Sequence, residues 1–130
     1  MPTSSLTLPS APEAAPAARG FVREVVDGHL PTETLHDALL LTTELVTNAV
    51  RHSDAGSDDA IELEVSADQD GLRVLVRDRG PGFDPSERRP SEKGGWGLFL
   101  VERVATRWGV RPRGDATEVW FEIRLAGSGT

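Results

Sequence analysis

Between Leu35 and Val50, the residues Leu35, Ala38, Leu39, Thr42, Leu45, Val46, Ala49 and Val50 follow the i, i+3, i+4, i+7 pattern of one buried helical face. The spacing predicts an amphipathic helix that opens with Thr32 or Thr34 as N-cap and stops near Ser53. Upstream, Leu6-Thr7-Leu8-Pro9 reads as a short edge strand closed by proline. Ala17, Phe21, Val22, Val25 and Val26 then give helical spacing up to Asp27-Gly28-His29, with Pro12 and Pro16 tolerable only near the first turn. Downstream the period changes from helical to alternating. Ile61, Leu63 and Val65 alternate with Glu62 and Glu64; after Asp68-Gln69-Asp70-Gly71, Leu72, Val74 and Val76 alternate with Arg73 and Arg77. That is a hairpin with one shared core face. The stretch from Arg79 to Gly95 carries Gly80, Pro81, Gly82, Pro85, Pro90, Gly94 and Gly95, too long for an ordinary turn and therefore expected to be functional or mobile. Trp96 to Thr106 returns to helical spacing, with Leu98, Val101, Val104 and Ala105 inward. Two strands complete the pattern: Trp108-Gly109-Val110, then, beyond a turn over Pro112 to Ala116, Val119, Phe121, Ile123 and Leu125 alternating with Trp120, Glu122 and Arg124. One domain over residues 6–125 is expected, between disordered ends at 1–5 and 126–130.

Composition narrows the function classes. A chain of 130 residues suits one core and buries about two thirds of its unfolded surface. The net charge of −7 leaves no broad basic footprint for nucleic acid, so direct nucleic-acid binding is not expected. Cysteine is absent, which excludes disulfides and thiolate metal sites. No apolar run approaches the roughly 20 residues of a membrane span, and Met1 to Ala18 lacks the features of a signal peptide. The expectation is a soluble cytoplasmic protein without membrane contact.

Three polar clusters stand out against this frame. At about 100° per residue, Glu44 points roughly 170° from the centre of the apolar stripe, and Asn48 follows one turn later beside it. Asp78-Arg79-Gly80-Pro81-Gly82-Phe83 ends a strand; its two alternate glycines let backbone approach a flat ligand, and its carboxylate can accept from an exocyclic amine such as adenine's. The same Asp-x-Gly-x-Gly also suits a tight turn. Gly94-Gly95-Trp96-Gly97-Leu98 opens a helix, where backbone N–H groups bind phosphate even on an acidic protein. It is neither a Walker motif nor a Rossmann fingerprint.

In this order, helical Glu-x-x-x-Asn, strand-Asp-x-Gly-x-Gly, then a long loop and Gly-x-Gly-Leu opening a helix, the clusters resemble the N box and the two glycine boxes of the GHKL, or Bergerat-fold, ATPase superfamily. Gyrase, histidine kinases and MutL share those boxes. The likeness is nearest to the stand-alone branch, the bacterial anti-sigma-factor serine/threonine kinases, and covers about Leu6 to Leu125. The resemblance implies an α+β two-layer sandwich, a mixed, mostly antiparallel sheet of about five strands with about three helices on one face. It implies ATP and Mg²⁺ as cofactors. Residue by residue it makes Asn48 the Mg²⁺ ligand, Glu44 the base that deprotonates an attacking hydroxyl, and Asp78 the adenine anchor. Gly80 and Gly82 become the close-approach glycines, Gly95, Gly97 and Leu98 the phosphate-side lid hinge, and Thr117 a hydroxyl near the adenine.

Some residues depart from that pattern or lie beside it. Trp96 places a bulky ring inside the second glycine box, and Asp115-Ala116 replaces the usual small approach to Thr117. His52 follows Glu44 by two turns, near enough to approach the phosphates or simply to end the helix. His36-Asp37 looks like a phosphoacceptor dipeptide, but it shares the helix of Glu44 and autophosphorylation there is rejected. Trp108 and Trp120 read as packing residues, and Arg88, Arg89 and Lys93 as a solvated loop face. The implied function is phosphorylation of an anti-sigma-antagonist protein by a homodimer that also binds a sigma factor. The alternatives are a non-catalytic, ATP-gated protein-binding module and the detached ATP-binding domain of a sensor kinase.

Overall fold

The computed structural model of the chain describes residues 3–52, 60–78, 96–113 and 116–125. Its elements run β1 (Ser4–Pro9), α1 (Ala14–Val26), α2 (Thr32–His52), β2 (Ala60–Asp68), β3 (Gly71–Asp78), α3 (Trp96–Val104), β4 (Arg107–Arg113) and β5 (Ala116–Arg124). The strands form one sheet in the order β1-β2-β3-β5-β4, every neighbour antiparallel. The expected α+β class is what the chain adopts.

The three helices pack side by side on one face of that sheet. α1 lies over β1 and β2, α2 over β2, β3 and β5, and α3 touches β4, with α2 between its two neighbours. The alternation of the strands explains why. Leu63↔Val76↔Val119 and Val65↔Val74↔Phe121 form cross-strand rows, all of them buried against the helices. Phe121 is wholly buried at their centre, with Leu41, Leu45 and Val46 of α2 in the same core. The opposite face carries the other half of the alternation, Glu62, Glu64, Arg73, Arg77, Glu118, Trp120 and Glu122.

Element ends follow backbone chemistry. Ala14 opens α1, so Pro12 stays outside and Pro16 falls in the first turn, where its missing N–H removes no helical bond. Gly28 then takes a left-handed conformation, φ 77°, beside the turn bond from His29 N–H to Val26 O at 2.8 Å. Leu35 N–H donates to Pro31 O at 2.9 Å, so α2 begins at Thr32 and Thr34 is already inside it rather than capping it. In the β2–β3 hairpin Asp68 Oδ1 accepts from Asp70 N–H at 2.8 Å, and Gly71 has φ 144°; a Cβ there would run into the Ile123 carbonyl oxygen.

Three boundaries differ from the sequence pattern. β1 starts at Ser4, not Leu6, because Ser4↔Val65 and Ser5↔Glu64 continue the ladder into the expected disordered end. α3 closes at Val104, short of the expected Thr106. β4 runs to Arg113 through Pro112, which was expected in a turn. The sheet order puts β4 at the edge, the one place a strand tolerates a residue without an N–H. Among the described residues no helix is long and apolar enough to cross a membrane.

Candidate functional site

The candidate residues lie on α2 and on β3 and β5, elements that pack against each other. Asp78 is the last residue of β3 and its partner in the ladder is Thr117 of β5. Both share the helix side of the sheet with Val76 and Val119, the next pair along. Asp78 is buried to 3% exposure, and Thr117 is half-buried. A carboxylate so enclosed is costly unless it is hydrogen-bonded, and its ladder partner carries a hydroxyl. The pair offers one carboxylate acceptor and one hydroxyl at a strand end, groups able to hydrogen-bond a polar ligand edge.

Asn48 is more enclosed than the helical wheel indicates. The apolar stripe puts it with Glu44 on the far side of the helix, yet its exposure is 4%. α2 touches α1 and α3 as well as the sheet, and its buried arc is wider than the stripe, taking in Leu41 and Asn48. Along the line Leu40, Glu44, Asn48 the helix therefore passes from an exposed leucine through a half-buried carboxylate to a buried amide. Glu44 is half-buried and Asn48 buried. An amide oxygen there suits a hard divalent ion that takes few protein ligands.

α2 is braced from α1 beside Glu44. Arg19 Nη1 donates to Thr43 Oγ1 at 3.2 Å, and that hydroxyl donates to Leu39 O at 2.8 Å. The residue before Glu44 is thus tied to the neighbouring helix.

The glycine box of residues 94–98 does open a helix, since α3 begins at Trp96 and holds Gly97 and Leu98 in its first turn. Their side-chain surroundings, together with Gly80, Gly82, Gly95, Arg88, Arg89, Lys93 and the His52 side chain, lie outside the described residues. His36 and Asp37 are exposed on α2, away from the buried end that carries Asn48.

One group escaped the sequence reading. On the reverse of the sheet, Glu118 is fully buried and accepts from Arg77 Nε at 2.7 Å and from Arg111 Nε and Nη2 at 3.0 and 2.8 Å. Arg77 also reaches Glu62 and Glu64. Its guanidinium is held above the ordinary arginine range, chiefly by the hydrogen bond to Glu118 and against the effect of burial. Opposite charges at alternate strand positions were the available signal; only the register shows that they meet.

Comparison with known proteins places these features in a family context. The model of the histidine kinase-like ATPase domain matches residues 8–123. The chain is 32% identical to the serine-protein kinase RsbW of Listeria monocytogenes serotype 4a (strain HCC23), a match spanning 77% of this chain and 73% of that protein. Among solved structures, a Mycobacterium tuberculosis protein with RsbU and RsbW domains superposes with a TM-score of 0.72 at 25% identity, covering 96% of this chain and 33% of the other. The histidine kinase domain of a blue-light-activated kinase from Erythrobacter litoralis EL346 shares the fold, with a TM-score of 0.60 at 23% identity over 87% of this chain and 60% of that one.

Proposed function

The chain belongs to the histidine kinase-like ATPase family, and from that premise we propose that it is an ATP- and Mg²⁺-dependent serine/threonine protein kinase of the anti-sigma-factor kind. The observation that carries the reading is the buried Asp78 carboxylate facing Thr117 across the strands that α2 covers. The kinship with a serine-protein kinase supports the choice of reaction.

In this reading Asp78 accepts a hydrogen bond from the adenine amine, and guanine, with a carbonyl at that position, is refused. Thr117 adds its hydroxyl on the adjoining strand. Asn48 would hold Mg²⁺ by its side-chain oxygen, and Gly95, Gly97 and Leu98 would offer backbone N–H groups to the phosphates. Gly80 and Gly82 keep side chains clear of the base. ATP supplies the phosphoryl group. Glu44, half-buried on α2, takes the proton of the incoming serine or threonine hydroxyl. Most of the catalytic effect comes from positioning and charge neutralisation, so these few parts suffice.

The acceptor is an anti-sigma-antagonist protein, and a sigma factor is the alternative partner of a cytoplasmic homodimer. The test is transfer of labelled γ-phosphate from ATP to an anti-sigma-antagonist protein of the source organism, comparing wild type with Glu44→Ala. Transfer that disappears in the variant while partner binding persists supports the kinase. Partner binding that depends on ATP with no transfer by either protein replaces it with an ATP-gated binding module.

A further inference from the structure

Among the described residues, the reverse face of the sheet carries its tightest ion pairing on the rung beside Asp78 and Thr117. Alternation places residues 77 and 118 on the face opposite 78 and 117, and the ladder pairs Arg77↔Glu118 on the rung next to Asp78↔Thr117. On that rung one row crosses four strands: Glu62 of β2, Arg77 of β3, Glu118 of β5 and Arg111 of β4. Glu118 is held from both sides, with Oε2 taken by Arg77 and Oε1 by Arg111. Its exposure is 0%.

A second charged row on the same face provides an internal contrast. Arg73, Glu122 and Arg107 span the same three strands, but the contacts are 3.7 and 3.8 Å, and the two arginine side chains are 46% and 64% exposed. Both of those arginines lie over the Trp120 ring instead. The close, doubly bonded arrangement is found where the strands carry the candidate adenine pair. Burying a carboxylate between two guanidinium groups is weak support for stability, since an apolar pair of similar volume serves as well; what it supplies is a fixed register. A two-sided clamp on Glu118 fixes the backbone of its neighbour Thr117, and the clamp's other member, Arg77, is the neighbour of Asp78.

We propose that Glu118, clamped by Arg77 and Arg111, is a positioning residue for nucleotide binding, which sets the spacing of Asp78 and Thr117 through the backbone without touching the ligand. This rests on the reading of Asp78 as the adenine anchor. Glu118→Gln keeps the shape and loses the charge that orients both arginines.

Calorimetric titration with ATP and ADP, at a temperature where every variant is fully folded, should give about tenfold weaker binding for Glu118→Gln. Arg111→Gln, on the half-exposed side of the clamp, should shift the affinity the same way by about threefold, and serves if Glu118→Gln fails to fold. Glu122→Gln, in the loose row, should lower the melting temperature and leave the affinity unchanged, which a general loss of sheet stability would not separate. Unchanged affinity in folded Glu118→Gln or Arg111→Gln, with Asp78→Asn still weakened, overturns the positioning role alone. Equal affinity of wild type and Asp78→Asn overturns both this role and the adenine anchor.

Discussion

Asn48 stands one helical turn beyond Glu44 on α2, yet Asn48 is sealed at 4% exposure while Glu44 remains half-buried. A base must reach an incoming hydroxyl, and a metal-holding amide works best out of bulk water. On the proposed roles, the half-buried position suits a base at Glu44 and the buried one a metal-holding amide at Asn48. The expected consequence at Glu44 is a change in rate alone. Glu44→Gln should lower phosphoryl transfer by about 100-fold or more while ATP affinity stays put, the signature of a lost general base. Single-turnover transfer beside equilibrium binding checks it; a matching loss of affinity contradicts the assignment.

Asn48 should govern the response to Mg²⁺. In wild type, chelation by EDTA is expected to weaken ATP binding, whereas Asn48→Ala should bind ATP with or without the ion at about the affinity of chelated wild type, a loss of about tenfold. Titration of both proteins in the two buffers decides the matter. A variant that keeps the full Mg²⁺ dependence removes Asn48 from the metal site.

The hairpin glycine makes a prediction about the scaffold that is independent of any ligand. Gly71 has φ 144° and no room for a Cβ against the Ile123 carbonyl of β5. Gly71→Ala should cost about 2 kcal/mol or more of unfolding free energy. Urea unfolding measures it directly, and a change below about 0.5 kcal/mol, the usual range for neutral surface changes, contradicts the geometry.

The clamp on the reverse face has a defined pH signature. Arg77 is held above its ordinary range by Glu118. A raised folded-state value adds stability that is complete below the unfolded value and fades only as pH climbs through the folded one. Both lie in strongly alkaline solution, so the stability gap between wild type and Arg77→Gln should be the same at about pH 6 and about pH 9. A gap that closes toward pH 9 means that another group carries the clamp's charge.

Much of this fold is legible in the sequence because its two periods are clean. Val74 and Val76 against Arg73 and Arg77, or Phe121 and Ile123 against Trp120 and Glu122, announce strands with one apolar face, and Leu35 to Val50 announces the central helix. What one-dimensional periodicity misses is how many neighbours an element has. α2 has a helix on either side as well as the sheet beneath it, a setting in which Asn48 is buried, and the strand through Pro112 lies at an edge. Glu44, Asn48, Asp78 and Thr117 are candidates from their likeness to the family boxes; the structure adds their burial and the pairing of Asp78 with Thr117. Glu118 is not legible in the sequence, because a solvated glutamate and one clamped by two arginines look alike until Arg77 and Arg111 are in register beside it.

The central claim is that this chain binds adenine nucleotides through Asp78. Its most direct test is a thermal-shift titration of the purified chain with Mg²⁺ and ATP, ADP or GTP, alongside Asp78→Asn. At a hundred times Kd, binding adds about 2.7 kcal/mol of stability, a readily visible rise in melting temperature. The account predicts stabilisation by ATP and ADP, none by GTP, and none in Asp78→Asn. Stabilisation by GTP equal to that by ATP, or no shift with any nucleotide, would contradict it.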